Sequence, residues 1–276
     1  MTRFTPDGTV LAMVQPHPLP GSYRHRGESM SSIVDATLAE IGDLMACDFD
    51  GIILQNMNDM PVKQVAPPEA VAAMTRLATE IRRAYPSLLV GILLNWDGVG
   101  GLAVAEAAEA AFVRVEHLFT GVEVTSAGLL EGQCVDICRL RKSLGSDIPV
   151  YADVYEVHGV PLGAKSIPDA AWEAVNEGFA DGLFLGGQNV EASIQMVEAA
   201  RPRVPGVPIL LGGGATGDNI GKAMDHFDGV SVATWIKDGD MKNPINVEKA
   251  RRFVCEAKGR QLIQSEIGRA SCRERV

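Results

Sequence analysis

Three side chains of this sequence could move a proton near neutral pH. Asp153 lies in the apolar run PVYADV (149–154), His158 follows in a loop with Gly159 and Pro161, and Glu116 closes FVRVE (112–116). A carboxylate at a strand end can serve as a general base or as a ligand for a hard divalent cation; it can also close a rim by pairing with a cation. Histidine titrates near neutrality, so His158 suits a proton shuttle to a substrate hydroxyl as well as a structural hydrogen bond. Arg114 alternates with Val113 and Val115 on the run that ends at Glu116. Two charges on one face of an apolar strand are costly unless paired. Arg114 is therefore expected to pair with Glu116 or with Asp153, and it also suits an anchor for a carboxylate or a second phosphate.

Further polar groups fall at the ends of other apolar runs. Asn56, Asn58 and Asp59 follow GIILQN (51–56), where amide and acid groups suit sugar hydroxyls or Asx-turns. Asn95 and Asp97 end LLVGILLN (88–95) and its continuation WDG as mouth residues, and Lys237 suits a cation that helps neutralise a phosphate or, the favoured expectation, a solvated loop lysine. Cys134 and Cys138 stand four apart in CVDIC; with no further Cys or His cluster beside them, they read as core packing rather than metal ligands. The metal question stays open, with a divalent cation at Asp153 as the candidate.

The segment PILLGGGATGDNIGKAM (208–224) poses a second question. Gly212, Gly214 and Gly217 fit G-x-G-x-x-G, and glycines that admit a phosphate before a helix N-terminus serve dinucleotides and smaller phosphates alike. A dinucleotide fingerprint normally opens its βαβ unit and is followed by an acid ending the next strand. Here the next apolar run ends in Ala233-Thr234-Trp235, without an acid. A nicotinamide cofactor is therefore disfavoured, and Gly212, Gly213, Gly214, Thr216, Ala233 and Thr234 read as a phosphate cradle, with a purely structural tight turn as the alternative.

These residues need elements to hold them. Eight nearly continuous apolar runs begin at VLAMVQ (10–15) and end at PILLGG (208–213) and GVSVAT (229–234), as expected of parallel strands covered on both faces. Amphipathic segments alternate with them, and SIPDAAWEAVNEG places Pro168 at a helix start and Gly178 at its end. Eight strand–helix units in one chain of 276 residues is the pattern of a single α/β domain, a (β/α)8 TIM barrel, with a doubly wound sheet as the alternative. Barrels build active sites beyond strand C-termini and often hold phosphate with the loops after the seventh and eighth strands. The two longest connections, residues 56–69 and 117–132, also follow strand C-termini. The barrel is expected to span 1–264. The Arg-rich end, 265–276, reads as a vector-derived tail outside the fold.

Composition narrows the partners. A formal charge of -10 disfavours nucleic acid, and no apolar run approaches the roughly 20 residues of a membrane span. Five scattered cysteines and no signal-peptide core suit reduced thiols in a cytoplasmic protein. Barrels of this kind often self-associate, so a homo-oligomer is expected.

The segments QPHPLPGS (15–22), DFDGIILQNMNDMP (48–61), VYADVYEVHGVPLG (150–163), ILLGGGATGDN (209–219) and WIKDGDMKNPIN (235–246) resemble the BtpA/SgcQ family, in the family's order. The resemblance implies a TIM-type barrel related to phosphate-binding barrels. It also implies two kinds of function. One is an enzyme of the isomerase, epimerase or lyase type on a small phosphorylated, sugar-like substrate. The other is a non-catalytic assembly factor, as the family's namesake is for photosystem I biogenesis. Four positions depart from the family: Gln15 stands for a frequent His, Gln55 for a Glu, Val157 for a Lys, and Ala233 for a frequent Gly. His158 and Asn56 are retained.

Overall fold

Eight apolar runs form the strands of a closed barrel in the computed structural model, which describes residues 4–116, 121–155, 158–264 and 270–274. They are β1 (Thr9–Val14), β2 (Gly51–Gln55), β3 (Leu89–Leu93), β4 (Phe112–Val115), β7 (Val150–Asp153), β9 (Gly182–Leu185), β10 (Ile209–Leu211) and β11 (Gly229–Val232). All pair in parallel, in chain order, and β1 closes the ring by pairing with both β2 and β11. That closure settles the barrel against the doubly wound alternative.

Helices α1 (Met30–Met45), α2 (Pro68–Ala84), α3 (Gly98–Ala107), α4 (Cys134–Leu144), α5 (Ile167–Asn176), α6 (Val190–Ala200), α7 (Ile220–Ala223) and α8 (Val247–Ala257) connect them. Their starts follow capping chemistry. Ser29, Ser166, Asn189 and Asn246 each accept a backbone N–H from the first turn, and Pro168 sits in the first turn of α5. Asp97 is likewise the cap of α3: one carboxylate oxygen accepts from Gly100 N at 2.8 Å and the other from Ala66 N at 2.8 Å.

The long connections are not plain loops. Val122–Thr125 (β5), Gly128–Glu131 (β6) and Val160–Leu162 (β8) form an antiparallel sheet in the order β6-β5-β8, joining the connection after β4 to the one after β7. Beyond α8, Arg260–Gln264 (β12) pairs antiparallel with Ala270–Glu274 (β13). Cys47, Cys134 and Cys138 are free.

The barrel interior is filled by alternating large and small residues. Phe4, Leu11, Met13, Ile53, Leu93, Phe112, Tyr151, Phe184 and Leu210 form one buried cluster inside the ring. Phe4 closes the N-terminal end by stacking on Phe112 at 4.7 Å, and Tyr151 donates its hydroxyl to the Phe4 carbonyl. Room for these rings comes from neighbouring strands. Gly91 faces Phe112 across the β3–β4 pair and Gly182 faces Tyr151 across β7–β9. A Cβ at Gly91 would stand 2.3 Å from Phe112 Cζ, and one at Gly182 would stand 2.2 Å from Tyr151 Cε1.

Gly91→Ala and Gly182→Ala are therefore each expected to cost about 1–3 kcal/mol, the usual range for overpacking a filled core. Chemical denaturation reads this directly. An unchanged midpoint would mean that the facing ring has space to move.

Candidate functional site

Alternation along each strand turns every second side chain inward, so the last inward residue of each strand belongs to the barrel mouth. Gln15, Gln55, Asn95, Glu116, Gly186, Gly212 and Ala233 occupy that level. They line a cavity of about 470 Å³ together with Arg114, Asp153, Tyr155, His158 and Ser126. The mouth thus gathers Asp153, His158, Glu116, Arg114 and Asn95 from three different strand–loop units.

Arg114 and Asp153 form its floor. The guanidinium donates from Nε to Asp153 Oδ1 and from Nη2 to Oδ2, both at 3.1 Å. It also lies over the Phe184 ring at 4.2 Å. Both side chains are nearly buried, 11% and 5% exposed. A fork-to-fork pair in a low-dielectric site stabilises the carboxylate as an anion. Asp153, one of the two partners expected for Arg114, is bound in the structure. Gly212, beside the guanidinium, leaves it room: a Cβ there would stand 3.3 Å from Nη2.

A chain of amides crosses the tips of β1, β2 and β3. Gln15 Nε2 donates to Gln55 Oε1 at 3.4 Å, and Gln55 Nε2 donates to Asn95 Oδ1 at 2.8 Å. Asn95 N in turn donates to Asn56 Oδ1 at 2.7 Å. At the other end Lys237 Nζ reaches Gln15 Oε1 at 3.4 Å and pairs with Glu40 at 2.8 Å. Lys237 is 1% exposed, which corrects its reading as a solvated loop lysine. An ammonium only donates, so it turns the Gln15 carbonyl towards itself and sets the direction of the relay.

Asn56, Asn58 and Asp59 sit beneath the loops rather than along the central mouth. Asn58 Nδ2 holds the carbonyls of Gln15 and Pro16, while Asp59 accepts from Leu19 N at 2.7 Å and from Asn56 Nδ2 at 3.1 Å. Burial pushes the Asp59 carboxyl up, against those hydrogen bonds that pull it down. Apart from the Asn56–Asp59 bond, these contacts brace one loop against another over about forty residues and are not local Asx-turns. Asn56 and Asp59 do line a separate side cavity of about 260 Å³ beside Pro61.

The glycine-rich turn after β10 opens a further cavity of about 410 Å³, lined by Gly212, Gly213, Gly214, Thr216, Ala233, Thr234, Trp235 and Lys249. It shares Met13, Gly212, Gly213 and Ala233 with the mouth, so the two spaces adjoin. Asn219 shapes the turn by accepting from Thr216 N at 2.7 Å and donating to Gly214 O at 3.1 Å. The Gly212 N–H is spent on Leu185 O at 2.8 Å. A Cβ on Gly213 would meet nothing within 4 Å, whereas one on Gly217 would collide with the Trp235 ring. The third glycine of the apparent dinucleotide fingerprint is thus accounted for by packing against an indole.

Lys249 of α8 was not singled out in the sequence, because it looks like any exposed helix lysine. It pairs with Asp238 at 2.8 Å and lies over Trp235 at 5.5 Å. Among the described residues no group of three or more His, Cys, Asp or Glu side chains could hold a metal ion, and no helix is long and apolar enough to cross a membrane.

Closed barrel, mouth and glycine turn together define a (β/α)8-barrel protein with a polar mouth at the C-terminal ends of its strands. Residues 7–259 match the model of the BtpA family, and the chain belongs to that family. An uncharacterised protein of Thermococcus kodakarensis is 34% identical over 94% of this chain and 97% of its own length. Photosystem I biogenesis protein BtpA of Synechocystis is 32% identical over 91% of this chain and 88% of its own. Among solved structures, 3-hexulose-6-phosphate synthase from Salmonella typhimurium shares the fold with a TM-score of 0.55 at 13% identity, covering 91% of this chain and 98% of that one. N-(5'-phosphoribosyl)anthranilate isomerase from Pyrococcus furiosus does so with a TM-score of 0.53 at 14% identity, covering 91% and 98%.

Arg114→Leu strips the guanidinium from a buried carboxylate and is expected to cost about 3–5 kcal/mol. Adding Asp153→Asn to that variant should recover part of the loss in a double-mutant cycle. Additive losses would show that the pair is not coupled.

Proposed function

We propose that this protein is an enzyme acting on a small phosphorylated, sugar-like substrate by acid/base chemistry of the isomerase, epimerase or lyase type. The observation that carries this reading is the continuity of two spaces: a glycine-lined cradle after β10 and β11, and a mouth holding Glu116 and His158. The phosphate would lie against the backbone of Gly213, Gly214 and Thr234, with Lys249 as the nearby cation. The reacting carbons would then sit over Arg114. All three reaction types move a proton next to a carbonyl. With Asp153 committed to Arg114, that movement falls to Glu116 and His158, while Asp153 holds the guanidinium in place. The fold likeness to sugar-phosphate barrels agrees with this reading, and the cradle and mouth residues of this chain are its basis.

A side chain at Gly213 fits the fold but fills the cradle. Gly213→Val is therefore expected to keep its melting temperature while losing the stabilisation that phosphorylated sugars give the parent protein in a thermal-shift screen. A flat response of the parent to every phosphate compound would sink the reading.

A second reading, an assembly factor that binds a partner protein, has one observation in its favour. Val124, Leu129, Val160 and Leu162 are 41–66% exposed and share one face of the β6-β5-β8 sheet, with Val124 opposite both Leu129 and Val160. An apolar face of that kind suits a partner with its own apolar contact surface. Leu129→Asp with Val160→Asp is expected to abolish partner recovery by pull-down and leave the response to phosphorylated sugars intact. Equal recovery by parent and variant would remove this reading.

A further inference from the structure

The cradle already holds an anion of the protein's own. We propose that Asp238 is a specificity residue of the cradle: its carboxylate occupies Lys249 and competes for it with any phosphate that enters. This inference rests on the phosphate reading of the cradle.

Lys249 and Asp238 are the charged side chains among the described residues that line this cavity. Lys249 Nζ stands 2.8 Å from Asp238 Oδ1. Asn246 Nδ2 donates to both carboxylate oxygens, each at 3.1 Å, while Asn246 Oδ1 caps α8 by accepting from Lys249 N at 3.1 Å. The start of α8 therefore holds a carboxylate as helix starts hold anions generally, with the dipole, an amide and an ammonium all favouring negative charge. Arg252, the other cation over Trp235, pairs with Asp218 and is not among the residues that line the cavity.

The local sequence suits this placement. Thr234–Lys237 makes one short 3-10 turn, and Asp238 ends it in the left-handed region at φ 54°, with Gly239 following at φ 88°. Aspartate tolerates that region better than most side chains. The contacts with Lys249 and Asn246 pull the Asp238 carboxyl below its ordinary range, so it stays ionised near neutral pH. An ammonium has three donors and can touch two anions, but its single charge cannot balance a carboxylate and a phosphate dianion together. At about 5 Å in a water-rich site, one carboxylate repels a dianion by roughly tenfold in affinity before salt screening. Phosphate alone is thus held weakly, and a ligand that stays must make further contacts in the adjoining mouth.

Isothermal titration of the full chain at constant ionic strength tests this, with inorganic phosphate and an aldopentose monophosphate as probes. Asp238→Asn removes the charge at a half-exposed position, keeps an acceptor for Asn246 and suits the left-handed backbone. It is expected to bind both probes about three- to tenfold more tightly than the parent. Glu248→Gln removes an equal charge from an exposed position in the same turn of α8, outside the cavity lining. It is expected to change either affinity by less than about twofold. Lys249→Met is expected to weaken both probes at least about threefold. If Asp238→Asn binds as the parent does, or more weakly, the inference is overturned and the cradle reading stands. An equal gain from Glu248→Gln assigns the effect to net charge and overturns it too. Unchanged binding by Lys249→Met removes the cation for which the two anions compete, with the same result. No heat from either probe, with the parent and with Asp238→Asn alike, overturns the cradle reading and this inference with it.

Discussion

A charge pair held between two barrel strands sets the level at which the core ends and the mouth begins. Below Arg114 and Asp153, the ring is filled by Phe112, Tyr151, Phe184 and the Phe4 plug. Above them, the inward positions of four strands carry Gln15, Gln55, Asn95 and Glu116. An ion pair so deeply placed gains little net stability over a well-packed apolar pair, because desolvation offsets most of the attraction. What it contributes is position. The bidentate geometry fixes one planar group across the floor, and Phe184 below and Gly212 beside it are shaped to admit that plane.

The other half of the mouth is organised by a different device. Lys237, Gln15, Gln55 and Asn95 form a run of donors and acceptors across three strand tips, and the ammonium at one end removes the ambiguity in amide orientation. The strand tips that support this relay are held from outside the mouth. Asn58 ties the Gln15 and Pro16 carbonyls, and Asp59 ties Leu19, so the first two loops brace one another. Charge at the floor and dipoles at the wall are thus kept separate, each with its own support.

The strands were readable in the sequence because each is an apolar run buried on both faces, and eight such runs leave few architectures open. The place of the glycine turn, after the seventh run and next to the mouth, was readable as well. The roles within the mouth were harder to read. Arg114 had two candidate partners in Asp153 and Glu116, and only barrel geometry brings Tyr151 opposite Arg114 and so places Asp153 within its fork. Lys237 looked solvated, since a lysine in a polar stretch carries no local sign of burial; the acid that pairs with it, Glu40, lies on α1 nearly two hundred positions earlier. The β5, β6 and β8 strands were missed because they are three or four residues long and draw on two separate connections, a span too short for periodicity to register.

That small sheet has a consequence for how this barrel can change. In many barrels each βα-loop is an independent module, exchanged without disturbing its neighbours. Here β5 comes from the connection after β4 and β8 from the connection after β7, and they are bonded in register through Val122–Leu162, Glu123–Pro161 and Val124–Val160. Ser126 and His158, which line the mouth, hang from the two sides of that pairing. The two loops therefore form one heritable unit: a graft or deletion in either must carry the other, and diversification of the mouth proceeds by paired rather than single-loop exchange.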